Sequence, residues 1–389
     1  MKDWRETQLG AVARLERSIV DPRCIQGDTK YVGLEHVDGD GQLAAVGSVE
    51  AGMLKSTKFR FSDQHVLYGK LRPYLRKVAR PHFSGVCSTD ILPILPGPDL
   101  DRDFLFHFLR QPCIVSLAAT RSDGVNLPRV SPKTLLSFPV SLPPLTEQRR
   151  IAALLDKADI VIRKRREGLR LLDGFLRSVF LELFGDPVKR EDGWDTVKLD
   201  EISEIASGVT IGRKLDVSAT TDVPYLRVAN VHDGRLDLAE VKTTPATHQD
   251  RAQYRLLPGD VVLTEGGDPD KLGRGAVWRG EIGECIHQNH IFRVRFQHGF
   301  VPDYVSALLG STYGKRYFLR AAKQTTGIAS INRSQLAAFP VIAAPHSMQR
   351  QYEAVAARVT SLSTKYRSAL EVTERLRDSI TQIVFGGHE

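Results

Sequence analysis

The order of sequence features in the first half of this 389-residue chain is repeated in the second half. The matching positions are, in pairs, Trp4 and Trp194, Tyr31 and Tyr225, Val66 and Val261, Phe138 and Phe339, and Gln148 and Gln349. Self-similarity over such a length is typical of a duplicated structural unit. We therefore expect an internal repeat, with each copy opening in the same short amphipathic element.

The spacing between the copies stays constant from the Phe-Pro-Val triplets to the Phe-Gly pairs at Phe184 and Phe385. A helix whose length matters behaves in this way, because one extra residue rotates everything beyond it by about 100°. We therefore predict long helices over 147–183 and 348–384. In the first, apolar residues recur in steps of four and three, a heptad seam interrupted by Arg165.

The remaining parts of each copy are rich in Gly, Pro, β-branched runs and turn signals, which indicates short strands, loops and some helix. The predicted fold class is α+β, with two mixed α/β domains alternating with two long helices. Long apolar seams need partners of equal length, so we expect an antiparallel coiled coil about a pseudo-twofold axis, with a mixed domain at each end. The predicted boundaries are 1–145 for the first domain, 146–188 for the central helix and linker, 189–345 for the second domain and 346–389 for the C-terminal helix.

Composition and charge narrow the class of partner. The net charge of +8 and the pI of about 9.3 favour an anionic partner such as nucleic acid. No stretch approaches the ~18 apolar residues of a membrane span, and residues 1–6 lead into no apolar signal segment, so we expect a cytoplasmic protein with no membrane partner. The scattered cysteines are expected to be buried free thiols: Cys24, Cys87, Cys113 and Cys285.

One local pattern resembles a known family. The chain reads LPPLTEQRRIA over 142–152 and then Leu155-Asp156, with Phe138-Pro139-Val140 just before and KLRPYLRKV over 70–78 upstream. These segments resemble the specificity subunits of type I restriction-modification systems. The resemblance covers the whole chain, because that family alternates two target-recognition domains with two long helical regions.

The resemblance implies double-stranded DNA as the ligand and two methyltransferase subunits and restriction/translocase subunits as partners. S-adenosylmethionine and ATP with magnesium would belong to those partners, while this chain would bind no cofactor and carry out no catalysis. It would read a bipartite site, one half per domain, with the helices setting the gap and docking methyltransferase subunits. The sequence agrees, since it contains no G-x-x-x-x-G-K-[ST] phosphate loop and no Asn-Pro-Pro-Tyr type of tetrapeptide.

The second junction departs from the family pattern. Residues 344–350 read APHSMQR, which keeps Pro345 and Gln349 but loses the Pro-Pro and Glu-Gln pairs. Equal partner contacts at the two junctions therefore do not follow from the resemblance.

In the first domain, a basic and aromatic cluster follows the strand-like segment 65–68, and Pro73 places it on a loop or short helix. Arginine pairs bidentately with guanine edges, whereas lysine contacts phosphates as a point charge. Asp90 and the loop 121–131 are the next candidates, and a solvated charged loop is the alternative interpretation. The DNA-binding candidates here are Lys70, Arg72, Tyr74, Arg76, Lys77, Arg121, Asn126 and Arg129.

In the second domain, the Gly-rich segment 265–275 follows an apolar strand and fits no nucleotide motif. Residues 287–290 (HQNH) precede an alternating strand over 291–296 and offer amides suited to adenine. A zinc site with Cys285 as third ligand is the alternative, disfavoured because residues two apart in a strand point to opposite faces. The loop 325–333 aligns with 121–131. The candidates are Lys271, Arg274, Gln288, Asn289, Asn332 and Arg333.

A basic run, Arg163-Lys164-Arg165-Arg166, lies in the middle of the first long helix. DNA phosphates between the half-sites, acidic side chains of a methyltransferase subunit, and solvent are all compatible with it. Two other functions also fit the sequence: a scaffold or regulator that bridges proteins, and a specificity module of a different DNA modification enzyme.

Overall fold

The computed structural model of the protein describes residues 4–49, 54–124, 126–190, 193–268, 271–297, 299–325 and 328–385. The chain divides into two compact units: unit 1 is Met1–Glu167 with Arg367–Glu389, and unit 2 is Gly168–Tyr366. No helix within the described ranges is long and apolar enough to cross a membrane. Some positions of the predicted loops and repeat lie outside the described residues: Val125, Pro269, Asp270, Thr326, Gly327 and Gly386.

Unit 1 is a mixed domain built on the first part of the chain. Its strands are β1 (Arg5–Gln8), β2 (Ala13–Leu15), β3 (Ile19–Val20), β4 (Thr29–Val32), β5 (Ser48–Val49), β6 (Lys58–Phe61), β7 (Val66–Gly69), β8 (Val78–Ala79), β9 (Gly85–Ser88), β10 (Ile91–Pro96) and β11 (Pro139–Leu142). Its helices are α1 (Leu9–Val12), α2 (Arg102–Leu109), α3 (Pro112–Thr120), α4 (Pro132–Leu136) and the first half of α5 (Leu145–Phe184).

Two sheets organise unit 1, with strand orders β2-β10-β7-β8 and β3-β6-β9-β4-β5. In the second sheet β4 runs parallel to β9, with Tyr31 opposite Val86. The apolar core lies between the first sheet, α2 and the long helices, where the Phe104 and Phe385 rings are 5.3 Å apart. The side chain of Asp101 caps α2 by accepting hydrogen bonds from two backbone N–H groups of its first turn.

Unit 2 contains the corresponding elements. Its strands are β12 (Thr196–Lys198), β13 (Ser203–Ser207), β14 (Thr220–Leu226), β15 (Val231–His232), β16 (Arg235–Leu236), β17 (Lys242–Thr247), β18 (Val261–Thr264), β19 (Gly266–Gly267), β20 (Gly275–Val277), β21 (Ile286–His287), β22 (Ile291–Phe296), β23 (Lys323–Thr325), β24 (Ile328–Ser330) and β25 (Pro340–Ile342). Its helices are α6 (Leu199–Ile202), α7 (His248–Tyr254), α8 (Pro302–Gly310), α9 (Thr312–Ala321), α10 (Arg333–Ala337) and, shared with unit 1, parts of α5 and α11 (His346–Phe385).

Two of the sheets of unit 2 have the orders β13-β22-β18-β20 and β17-β14-β21. As in unit 1, the second sheet contains a parallel pair, with Tyr225 opposite Ile286. Its core is more aromatic at the helices: Phe184 lies 4.5 Å from Tyr304 and 5.9 Å from Tyr352, measured between ring centroids.

Both units open in the same way. A short strand pairs with the strand that precedes the long helix, and a one-turn helix follows at once. The backbone N–H of Leu9 donates to the carbonyl of Phe138 at 2.9 Å, and that of Leu199 donates to Phe339 at 3.0 Å. The predicted amphipathic opening element is therefore a strand followed by a helical turn.

The long helices are two residues longer at their starts, and one at their ends, than the predicted spans. Within unit 1, Arg165 of α5 donates to the Ala369 carbonyl and the Thr373 hydroxyl of α11, and Asp159 lies 2.8 Å from Arg377. From the first contact to the second, the residue number falls along α5 and rises along α11, so the two helices run antiparallel there. Arg165 interrupts the apolar seam, and its guanidinium donates hydrogen bonds to α11.

Unit 2 shows the same relationship between its own parts of α5 and α11. A Cβ on Gly168 would lie 2.6 Å from the Tyr366 ring, so glycine lets that ring approach α5 closely. Further along, the Phe180 and Tyr352 rings are 5.7 Å apart. Between these two contacts the residue number rises along α5 and falls along α11, so the helices run antiparallel here as well.

The prediction of buried thiols is correct for two cysteines and wrong for two. All four are free, but Cys24 and Cys113 are exposed while Cys87 and Cys285 are buried. Cys24 ends a short 3-10 turn at the surface, and Cys113 lies in the first turn of α3. Neither cysteine belongs to a periodic apolar pattern, so the sequence carried no signal of its exposure.

Candidate nucleic-acid interface

The predicted basic cluster of unit 1 occupies the loop between β7 and β8. The backbone N–H of Gly69 donates to the Lys77 carbonyl at 2.8 Å, which closes the loop at its base. Inside it, Pro73–Leu75 form a 3-10 turn, as the prediction of a loop or short helix required. Arg72 and Arg76 flank the turn in the left-handed region, at φ of 49° and 54°. A non-glycine residue pays roughly 1–2 kcal/mol for that conformation, so the surrounding contacts must hold the loop in place.

The second predicted segment, 121–131, packs directly against this loop. The Arg72 N–H donates to the Pro128 carbonyl at 2.8 Å, and the Val130 N–H donates to the Lys70 carbonyl at 3.0 Å. Asp123 and Arg129 exchange two backbone hydrogen bonds, which folds the segment into a tight turn. The two segments therefore form one continuous surface, which we call the unit 1 loop face (residues 70–77, 90 and the described part of 121–131).

Asp90 is the third component of the unit 1 loop face. Its carbonyl accepts from the Lys70 N–H at 2.9 Å, and its carboxylate lies 3.4 Å from the Lys70 ammonium and 3.8 Å from the Arg129 guanidinium. The Arg129 side chain is 55% exposed. A cation held this loosely can exchange its carboxylate for a phosphate or a base edge.

The candidates of the unit 1 loop face divide by exposure. Lys77 is half-buried and its ammonium donates to the Leu34 carbonyl at 2.5 Å, and the Lys70 ammonium donates to the Thr89 carbonyl at 2.8 Å. Arg76 is also half-buried. The two lysine side chains therefore support the loop. The candidates whose side chains are exposed to solvent are Arg72, Tyr74, Arg121, Asn126 and Arg129.

Unit 2 builds the same framework from different residues. The Glu265 N–H donates to the His290 carbonyl at 3.0 Å, and the Ile331 N–H donates to the Glu265 carbonyl at 2.9 Å. These bonds reproduce those of Lys70 with Asp90 and of Val130 with Lys70. We call this surface the unit 2 loop face (the described parts of 265–275 and 323–333, with 287–290).

The side chains of the unit 2 loop face carry a different charge pattern. Glu265 and His290 lie 2.8 Å apart, and Lys271 pairs with Asp268. The Asn332 side chain accepts from the Gln335 N–H at 2.9 Å and caps α10, so it has a structural role, and Arg333 next to it is exposed. Gln288, Asn289, Arg274 and Lys271 are partly exposed.

His287 is not available at this surface. It is fully buried, with Nδ1 3.0 Å from the Tyr254 carbonyl, and burial lowers its pKa to about 4. Within the described ranges no group of three or more His, Cys, Asp or Glu side chains is placed to hold a metal. The Cys285 thiol is buried against the Ile286 carbonyl, and His290 pairs with Glu265, so the geometry gives the zinc alternative no support.

A buried ionic network in unit 1 was not anticipated from sequence. Asp156 on α5 accepts from both Arg80, at 3.0 Å, and His107, at 2.9 Å. One turn further, Asp159 lies 3.2 Å from Arg110 and 2.8 Å from Arg377 of α11. The network joins the mixed domain to both long helices of unit 1.

The network shifts the pKa values of its side chains. Burial acts to raise the pKa of Asp156, but the hydrogen bonds from His107 and Arg80 outweigh it and bring the pKa to about 2. Burial lowers the pKa of His107. At the matching positions of unit 2 the chain has Ala307, Gly310, Ala357 and Thr360. Unit 2 keeps the Arg279–Asp303 pair, which corresponds to Arg80 with Asp103, and has small uncharged residues at the other matching positions.

The junction glutamines have the same structural role in both units. Gln148 accepts from the Asp101 N–H at 2.7 Å and donates to the Pro143 carbonyl, while Gln349 accepts from the Val301 N–H at 2.9 Å and donates to the Ala344 carbonyl. Both side chains are buried. The glutamine retained at the divergent second junction therefore anchors the start of its long helix.

Two residues of the basic run 163–166 on α5 make contacts within unit 1. Arg166 lies 3.1 Å from Asp40 and 2.7 Å from Glu374, and Arg165 bonds α11. Arg163 lines a cavity of about 640 Å³ beside the ionic network, and Lys164 is exposed. Only part of the run is therefore presented outward.

Known proteins are similar to this chain in sequence and in fold. The family described as type I restriction modification DNA specificity domain matches residues 1–169. The specificity subunit of the type I restriction enzyme EcoDI from Escherichia coli is 26% identical over 218 residues, covering 55% of this chain and 48% of that protein. The EcoKI specificity subunit from Escherichia coli K12 is 20% identical over 303 residues, covering 73% and 65%. The chain thus matches about half to two thirds of the length of these relatives.

A solved structure extends the likeness of fold to nearly the full chain. The type I restriction-modification S subunit from M. genitalium superposes with a TM-score of 0.61 at 13% identity, covering 98% of this chain and 96% of that one. The likeness establishes the mixed α+β fold.

Proposed function

Because residues 1–169 match the family described as type I restriction modification DNA specificity domain and the chain is similar to specificity subunits of type I restriction enzymes, we propose that it is the non-catalytic, sequence-reading subunit of such a system. It reads double-stranded DNA at a bipartite site, and each unit reads one half. The proposal rests on this likeness together with the two loop faces.

The observation that carries the proposal is the shared framework of those faces. In each unit a buried strand ends at the loop face, and two backbone hydrogen bonds tie the loop to the residue before β10 or β22 and to the segment before α4 or α10. The framework is constant, while the side chains it displays differ. A reader of two different half-sites needs such a division, since phosphate contacts position a protein and base contacts specify the sequence.

The exposed side chains suit a duplex. Arg72, Arg121 and Arg129 are exposed in unit 1, and Arg333 is exposed in unit 2. Arginine is the side chain that reads guanine most often, and the amides of Asn126, Gln288 and Asn289 suit adenine.

The two long helices act, in this proposal, as an antiparallel coiled coil that relates two copies of an internal repeat and fixes the gap between half-sites. The Asp159–Arg377 pair of unit 1 and the Phe180–Tyr352 contact of unit 2 support antiparallel pairing. The matching hydrogen bonds of Gln148 and Gln349 support the repeat.

The outer faces of the helices dock the partner subunits. On the unit 1 part of α11, Val372, Leu376 and Ile383 are 54%, 57% and 73% exposed, and they recur at spacings of four and seven residues. An apolar row of this kind fits a partner helix or groove. Two methyltransferase subunits, and restriction subunits where present, would supply S-adenosylmethionine and ATP chemistry.

Comparison of DNA modification in cells with and without the gene tests the proposal. We expect one bipartite methylated motif to disappear with the gene. An unchanged set of modified motifs would overturn the proposal and favour a protein-bridging role.

A further inference from the structure

The unit 1 loop face displays large apolar side chains at its tip. Tyr74, Leu75 and Leu127 are 53%, 41% and 49% exposed. Tyr74 and Leu75 belong to the 3-10 turn between β7 and β8. Leu127 precedes Pro128, whose carbonyl accepts a hydrogen bond from the Arg72 N–H. The three side chains therefore come from the two packed segments of one face.

The backbone presents Tyr74 and Leu75 in a fixed way. The left-handed residues Arg72 and Arg76 bracket the turn, and two hydrogen bonds close it, from Leu75 to the Arg72 carbonyl at 2.8 Å and from Arg76 to the Pro73 carbonyl at 2.9 Å. Pro73 is buried beneath it. Strained conformations held by several contacts are common where a segment must be ready for a ligand.

The turn is supported from the protein side at both ends. The Val78 N–H donates to the Arg76 carbonyl at 2.9 Å, which carries the chain directly into β8, and the Arg72 N–H is tied to Pro128. A side chain on such a support loses little conformational freedom when it meets a ligand, which favours binding.

The charges around the tip indicate the class of ligand. The exposed guanidinium groups of Arg72, Arg121 and Arg129 belong to the same two segments as the apolar side chains. Apolar tips surrounded by arginines suit a duplex, where the cations meet phosphates and the apolar groups meet base faces.

Unit 2 displays no such tip in the described part of its loop face. Glu265, Gly266, Gly267 and Asp268 replace the basic and aromatic residues after the strand, and Leu272 is buried. The same framework therefore presents apolar groups in unit 1 and small or acidic groups in unit 2.

We propose that Tyr74 and Leu75 form a preformed apolar wedge that packs into a base step of the half-site read by unit 1 and partly unstacks it. This inference rests on the proposed function. It makes unit 1 read its half-site partly through the ease of deforming that step, whereas unit 2 relies on polar contacts.

The test uses the full chain and duplexes of the methylated motif, with one adenine or cytosine at a time replaced by 2-aminopurine or pyrrolocytosine. The variants are Tyr74→Ala and Leu75→Ala, with Tyr74→Phe to separate ring from hydroxyl. Leu257→Ala in unit 2 is the matched control, since Leu257 is 40% exposed against 41% for Leu75.

We expect the unaltered chain to raise probe fluorescence at one step of a single half-site. Tyr74→Ala should abolish that rise and weaken specific binding roughly 5- to 150-fold, with non-specific binding unchanged, while Tyr74→Phe and Leu257→Ala keep both. Circular dichroism reports whether each variant is folded.

Two outcomes would overturn the wedge without touching the proposed function: specific binding with no fluorescence rise at any step, or a rise that persists in both alanine variants. Loss of methyltransferase-subunit binding in Tyr74→Ala, with DNA binding intact, would assign the tip to a protein instead. Failure of the unaltered chain to bind the motif at all would count against the proposed function itself.

Discussion

The Glu265 carboxylate lies 2.8 Å from Nδ1 of His290, at the position where unit 1 places the Lys70 ammonium 3.4 Å from the Asp90 carboxylate. The backbone hydrogen bond between the two residues is the same in both units, but unit 2 has a carboxylate in place of the ammonium and an imidazole in place of the carboxylate. One framework thus displays different side chains at the same place.

Glu265→Gln should alter base preference in one half-site only. A carboxylate can accept from the cytosine amino group, so its loss should reduce discrimination at one base pair by about 1–3 kcal/mol. Competition binding against single-base variants of the motif measures this effect. Asp222→Asn, which removes an exposed carboxylate from β14, is the control. A change in the half-site read by unit 1 would contradict the assignment.

Arg129→Ala and Lys77→Ala should differ in their effect on salt dependence. Arg129 is exposed, so its removal should flatten the slope of log affinity against log salt by roughly one unit if it contacts a phosphate. Lys77 donates to the Leu34 carbonyl, so its removal should lower stability and leave the slope unchanged. Affinity titrations at several salt concentrations distinguish them. Equal slopes for Arg129→Ala and the unaltered chain would show that Arg129 contacts no phosphate.

Asp156→Asn should destabilise the protein at neutral pH. The pKa of Asp156 falls to about 2 from an ordinary value of 3.8, so the ionised form contributes about 2 kcal/mol of stability above pH 4. That contribution is lost as the pH falls from about 4 towards 2. Denaturant unfolding at pH 7 measures the effect, with Asp173→Asn, an exposed aspartate on the same helix, as control. Equal destabilisation by the two variants would show that the network stabilises nothing.

A four-residue insertion after Glu167 tests the helices as a spacer. The insertion lies at the boundary between the two units, lengthens α5 by about 6 Å and adds about 40° of rotation. DNA advances about 3.4 Å per base pair, so the gap in the methylated motif should grow by one or two base pairs with both half-sites unchanged. A two-residue insertion should be tolerated less well, because it turns the heptad seam away from its partner. Retained modification with an unchanged gap would leave the helices as a partner surface only.

The sequence was sufficient for elements that depend on local periodicity. The constant spacing between the copies, with the heptad seam of the first, predicted both long helices to within two residues, and Val66 and Val261 lie in buried strands as the sequence indicated. The candidate loops were also found from their Gly, Pro and basic composition. That 70–77 would pack against 121–131 was not predicted, because their pairing depends on backbone hydrogen bonds between distant residues.

Side-chain roles that depend on tertiary partners could not be read from the sequence. Lys77 looked like a phosphate contact, but its ammonium is directed to a carbonyl some forty positions away. Asn332 was predicted to contact DNA, and the sequence did not show that its side-chain oxygen also caps α10. Asp156 and Asp159 carried one local signal, since they are acidic residues beside the apolar seam of α5, but their partners come from α2, the segment after β8 and α11.

Exchange of residues 1–145 for the corresponding domain of another specificity subunit, followed by methylome sequencing, tests the central claim most directly. The account predicts a methylated motif in which one half-site is replaced while the other half-site and the gap are retained. A motif altered in both halves, or one unchanged in both, would contradict the claim that each unit reads one half of the site.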